Sequence, residues 1–330
     1  MSIARLFSAA LTAAALLLSP LGNEAQAQAY EAHLPADLAT NPDLCALVPC
    51  ADVFPGAQIF SQRKGQPPYV EAYGDADPQQ PGKKTLLGYV MLSTDITDTP
   101  AYSGKPVITL IGMDARGRYV GVKVLKHSEP ILLLGIPEST LVNFNNQYLG
   151  KSVTDQIEVG PSRPDENILG LDAISGATVT VIAQNQVMQL SGAAVARQVG
   201  IIEPTRRDPA RFVTSGRPYR WDELVKMGAV QRLRVMPEQL GLERSAEPFI
   251  ELWFGDLNHP DVGQSLLGRN GFESLRSRLK DSESALFVIK TAGQESFKGS
   301  GFVRGGIFDR VQVKQGADSF TFRDLDALNL

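Results

Sequence analysis

The chain has 330 residues, 43% of them apolar, with a formal net charge of −4 and a pI near 5.5. This is enough apolar material for an ordinary globular core, over a length suited to one to three domains of about 150 residues each. The acidic balance excludes the basic face that nucleic acids require, so no nucleic-acid partner is expected.

The first 27 residues read as a secretory signal. Arg5 supplies a small positive segment, residues 6–18 form an apolar Ala/Leu-rich run, and Ala25-Gln26-Ala27 is an A-x-A cleavage pattern. The mature chain then starts at Gln28. An uncleaved anchor is the alternative, but the apolar run is short for a membrane-spanning helix. Residues 28–85 are rich in Pro, Gly, Asp and Gln and read as an N-terminal extension, with turn material at 66–68 and 77–82. Apolar residues within 44–60 suggest a short helix followed by a strand. The two cysteines, Cys45 and Cys50, lie here. They pair in an oxidising compartment or stay as free buried thiols, and the signal sequence favours pairing.

From residue 86 the pattern sharpens. Segments 87–94, 107–114 and 119–127 are strand-like, and Asp114-Ala115-Arg116-Gly117-Arg118 signals a hairpin between the last two. A helix is expected over 138–149, stopped by Gly150, then a strand over 153–159 and a loop over 160–167. A long helix over 179–199 follows, with Ile182, Ala183, Val187, Leu190 and Ala194 as one apolar stripe. Residues 204–218 are charged and proline-containing, which marks a linker. Beyond it, residues 219–330 read as a second, smaller α/β unit. Helices are expected at 221–230 and 270–280, and strands at 248–254, 285–291, 308–314 and 319–323. The fold class is therefore α+β, a small antiparallel sheet with two main helices followed by this second unit.

The string Asp172-Ala173-Ile174-Ser175-Gly176-Ala177-Thr178 opens the long helix. Backbone N–H groups at a helix start lack intrahelical partners and carry partial positive charge, so a phosphate beside Thr178 would be held there. Gly176 and Ala177 leave that backbone unshielded. The plainer reading is that the hydroxyl simply caps the helix. Upstream, His127-Ser128-Glu129 ends the strand 119–127. His and Glu two apart share a face of a strand, as an acid/base pair or as an exposed charge pair.

D-x-x-S-G-A-T resembles the flavinylation motif of FMN-binding domains in sodium-pumping NADH:quinone oxidoreductases and their ferredoxin-linked relatives. The resemblance implies that Thr178 carries FMN through a phosphoester bond, with Asp172, Ser175, Gly176 and Ala177 shaping the helix start. It also implies that His127 and Glu129 flank the flavin, although Pro130-Ile131-Leu132-Leu133-Leu134-Gly135 replaces the family's usual Thr-Pro-Gly. The longer string from His127 to Pro137 is similar to the periplasmic flavin domain of the membrane-bound regulators of nitrous oxide reduction and their nitrite-reduction relatives (the NosR/NirI family). Residues 86–203 then constitute the FMN-binding domain. The implied function is periplasmic electron transfer supporting nitrous oxide reductase activity or maturation. The implied partners are a flavin transferase using FAD and Mg²⁺, nitrous oxide reductase or its maturation factors, and a membrane-embedded part of the same protein. A non-redox, partner-binding scaffold of the same fold is the alternative. His33, His127 and His259 are far apart in sequence, so no metal centre is expected, and no nucleophile–base set marks a hydrolase.

Overall fold

The computed structural model describes residues 33–75, 84–133, 135–203, 211–280, 283–299, 302, 304–315 and 318–327. The signal-sequence reading of residues 1–27 lies outside them. The fold is α+β.

A five-stranded antiparallel meander forms the centre: β1 (Ile59–Phe60), β2 (Val70–Asp75), β3 (Lys84–Leu92), β4 (Ile108–Asp114) and β5 (Tyr119–Lys126), paired in that order. The β4–β5 hairpin closes because Asp114 Oδ1 accepts from the N–H groups of Arg116 (2.8 Å) and Arg118 (2.9 Å). Side chains alternate between two faces along each strand, and here both faces are buried. Tyr89, Met91, Ile111, Met113 and Val124 face one core. Val90, Leu92, Leu110 and Leu125 face the other, beneath Leu38, Leu44, Val48, Val53 and Phe54. This explains why β3 and β4 read as near-continuous apolar runs.

The second face is covered by the N-terminal segment, which includes α1 (Leu44–Leu47) and α2 (Cys50–Val53), joined by a Cys45–Cys50 disulfide. The Val53 carbonyl lies so close to the sheet that a Cβ at Gly112 or Gly121 would sit 2.2 Å from its oxygen. The segment 28–85, read as an extension, therefore supplies both β1–β2 and the cover of one sheet face. The sheet crosses the boundary expected at residue 86.

On the first face lie α3 (Pro130–Leu133), α4 (Glu138–Asn146), the parallel pair β6 (Gln156–Val159) and β7 (Ile168–Leu171), and the 21-residue α5 (Thr178–Gln198). Of the stripe expected on α5, only Ala183 and Val187 are fully buried. Ile182, Leu190 and Ala194 are only half-buried, whereas Gln184, Asn185, Gln186 and Ser191 are buried. Neighbours on several sides take up two of these polar groups: Gln184 Nε2 donates to Asn145 Oδ1 (3.1 Å), and Tyr148 Oη donates to Asn185 Oδ1 (2.6 Å). A helix covered nearly all round has no single apolar face.

The remaining unit contains α6 (Trp221–Lys226), a three-stranded sheet ordered β10–β9–β8, and α7 (Pro260–Arg278), broken at Gly268 (φ 70°). Its strands are β8 (Gln231–Val235), β9 (Ile250–Asp256) and β10 (Leu286–Ala292). The buried hydrophobic cluster at its centre is small: Leu224, Val230 and Val262. The last hairpin, β11 (Ile307–Gln315) with β12 (Asp318–Arg323), leaves that sheet and packs on α5, with Ile307 1% exposed in the main core.

Candidate flavin-binding site

The residues Ser175, Gly176 and Thr178 are exposed at the N-terminus of α5, while Ala177 is buried beneath them. The turn begins with Ala177 N–H donating to Ile174 O (3.0 Å), and the first helical bond runs from Val181 N–H to Ala177 O (3.0 Å). Gly176 adopts φ 79°, a left-handed conformation that disfavours any residue with a Cβ. The space around it is open, since a Cβ there would meet only Ile136 Cδ1, at 3.7 Å.

Ala177 is the N-cap and Thr178 is the first residue inside the helix, with no side-chain capping bond. This overturns the reading of Thr178 as a cap. The hydroxyl is exposed, the first-turn N–H groups have no intrahelical acceptor, and none of the helix's own first-turn residues is acidic. Asp172 is exposed, and its backbone is fixed to the end of α4: Gln147 Oε1 accepts from Asp172 N–H (2.8 Å) and Gln147 Nε2 donates to Asp172 O (3.2 Å).

The two sequence motifs meet in space. β5 stops at Lys126, so His127 and Glu129 lie on the connection into α3 rather than on a strand. They are not an exposed charge pair, since His127 is 9% and Glu129 0% exposed. Glu129 accepts from Tyr102 N–H (3.1 Å), Ser103 N–H (3.0 Å) and the Thr180 hydroxyl. Its carboxylate thereby ties the 102–103 loop and the strand-end connection to the first turn of α5. Ile136, from the link between α3 and α4, is the nearest side chain to the open face of Gly176.

His127 Nδ1 accepts from Glu129 N–H (3.3 Å), and its Nε2 lies 3.9 Å from Glu138 Oε1 at the start of α4. Burial holds the imidazole below its ordinary pKa, against the opposing pull of the Glu129 charge. Burial also raises the Glu138 carboxyl. A true ion pair would shift both groups the other way, so this contact is one between a neutral ring and a carboxyl group. Tyr102, Ser103, Glu138, Gln147 and Thr180 were not singled out from sequence, and Ile136 only within the string from His127 to Pro137. Of these, only Thr180, two positions beyond Thr178, carried a local signal.

Comparison with known proteins bears directly on this geometry. Residues 102–193 match the FMN-binding domain family, a span running from the Glu129-binding loop through most of α5. The chain is 39% identical over 264 residues to the regulatory protein NosR of Stutzerimonas stutzeri, covering 74% of this chain and 36% of that protein. It is 40% identical over 301 residues to the regulatory protein NosR of Pseudomonas aeruginosa, covering 82% and 40% respectively. It is 27% identical over 242 residues to the protein NirI of Paracoccus denitrificans, covering 70% and 34%.

The chain carries a NosR/NirI-like FMN-binding domain. It spans about two fifths of the length of the NosR relatives it matches. The FMN-binding domain places its exposed hydroxyl, uncapped helix start and open glycine together, a donor set suited to the phosphate of a flavin nucleotide. Among the described residues no group of three or more His, Cys, Asp or Glu is arranged to hold a metal ion. Among them, too, no helix is long and apolar enough to cross a membrane.

Proposed function

We propose that Thr178 carries FMN through a phosphoester bond and that the domain is an exported electron carrier supporting nitrous oxide reductase activity or maturation. The observation that carries this reading is the contrast between neighbouring hydroxyls. Thr180 is buried and bound to Glu129, whereas Thr178 is exposed at the first turn. Attachment forms the bond from Thr178 Oγ to phosphorus and breaks the pyrophosphate bond of FAD. AMP leaves with the bond's electron pair, and the hydroxyl proton goes to solvent. A flavin transferase using FAD and Mg²⁺ would perform the step, and a membrane-embedded partner would receive or supply electrons.

The bound flavin would supply the redox chemistry. The chain's residues would do the rest. First-turn N–H groups would hold the phosphate, and Gly176 would let it approach the backbone. Glu129 would fix the helix start against the 102–103 loop, and the neutral His127 ring would keep charge away from that connection.

Intact-mass measurement of protein co-expressed with its transferase and exported tests this. The expected result is addition of one FMN to the wild type and none to Thr178→Val, with the same circular dichroism spectrum. An unmodified, colourless wild type would overturn it. A partner-binding scaffold is the second reading. It draws on exposed apolar residues, Val213 (89%) in the linker and Met227 (52%) and Leu242 (51%) in the second unit.

A further inference from the structure

Where β12 crosses α5, a cavity of about 180 Å³ opens near Gln186, eight residues and about 12 Å along the helix from Thr178. Its wall is polar, with Leu190 as the apolar exception. Two oxygens of its lining, Gln186 Oε1 and Thr321 Oγ1, are buried and have no hydrogen-bond partner within the protein. Gln186 as a whole is 8% exposed. Burying such atoms unmet is costly, so the cavity is built for something that satisfies them.

The charges around it narrow the choice. Arg323 Nη1 donates to Asp98 Oδ1 (3.0 Å) and Oδ2 (3.2 Å), and its Nε and Nη2 donate to Asp326 (2.9 and 3.0 Å). Two carboxylates thus share one guanidinium, leaving one net negative charge. The hydroxyls of Thr97 and Thr99, 2.7 Å apart, add further neutral oxygens. An anion would meet two carboxylates and an amide oxygen. A divalent ion needs carboxylates of its own, and these are already held by Arg323. A monovalent cation is instead content with neutral amide and hydroxyl oxygens in a mildly negative setting.

We propose that this cavity binds a monovalent cation of potassium size, with Gln186 Oε1 and Thr321 Oγ1 as direct ligands. The ion would bridge α5 and the C-terminal hairpin, fastening the hairpin to the flavin-bearing helix. This inference does not depend on flavin being attached.

The test compares thermal unfolding of the full chain in potassium, ammonium and choline chlorides at equal ionic strength. Potassium is expected to raise the midpoint by about 3–10 °C over choline at ten to a hundred times its dissociation constant. Ammonium matching potassium would identify size as the criterion, and Gln186→Leu should abolish the difference. Should that variant fail to fold, anomalous scattering from wild-type crystals soaked in a thallous salt decides. A peak bonded to Gln186 Oε1 and displaced by potassium supports the site. Ordered water alone in the cavity, with equal midpoints in all three salts, overturns it.

Discussion

Thr178 and Thr180 sit two positions apart on α5 and have opposite surroundings. The hydroxyl of Thr180 serves a fully buried carboxylate, so Thr180→Val leaves Glu129 one donor short at the cost of about 1–3 kcal/mol. Thr178→Val removes an exposed group and should change stability by no more than about 0.5 kcal/mol. Urea unfolding of the two variants checks the contrast; equal losses would mean that Thr178 has a structural partner. His127 gives a pH signature. Its folded pKa is depressed, so the unfolded chain binds more protons as pH falls below the ordinary imidazole value of 6.5. The penalty is absent above that value and grows as pH drops towards the folded pKa. Glu138, raised by burial, acts oppositely, with stability present below the ordinary carboxyl value of 4.5 and lost as pH rises through the folded value. The loss between pH 6.5 and the carboxyl range should therefore flatten in His127→Gln, measured by the unfolding midpoint. A pH profile identical in variant and wild type would show that another group controls it.

At the scale of elements, legibility followed pattern strength. β3 to β5 and the α4 and α5 helices stood out because apolar runs and turn residues there are strong local signals. β2 (Val70–Asp75) did not, because V-E-A-Y-G-D carries two acids and a glycine and becomes a strand by pairing with β1 and β3. β8 was missed for the same reason, with four of its five residues exposed on a sheet edge. The location of the motif was readable from D-x-x-S-G-A-T, but the loop at Tyr102 and Ser103 was not. Its contribution is backbone N–H groups, which no side-chain pattern announces. Burial of α5 on several sides likewise depends on a hairpin more than a hundred residues downstream. The disulfide belongs to this scale too. α1 and α2 have four residues each, too short to hold helical structure alone. The cross-link closes a short loop worth about 2 kcal/mol. Reduction should lower the urea midpoint accordingly while leaving the spectrum of the native state intact. No change on reduction would mean the packing of Leu44 and Val53 suffices.

Across the whole molecule, chain order and structural order diverge. The N-terminal segment covers one face of the central sheet, and the C-terminal hairpin covers the helix on the other, so both ends of the described chain support the FMN-binding domain. Ile307 lies outside the matched span 102–193 yet is buried in the same core as Ile111 and Val181. Ile307→Ala should therefore cost about 2–5 kcal/mol and shift the unfolding of the flavin-bearing domain itself, read by Tyr119 and Tyr148 environment in near-ultraviolet circular dichroism. A loss confined to the second unit would contradict this arrangement. The most direct measurement concerns attachment. Tandem mass spectrometry of a proteolytic peptide spanning residues 172–197, taken from exported protein co-expressed with its transferase, locates the flavin to one residue. Fragment ions should place FMN on Thr178; FMN on Ser175 or Thr180, or an unmodified peptide, would contradict the proposal.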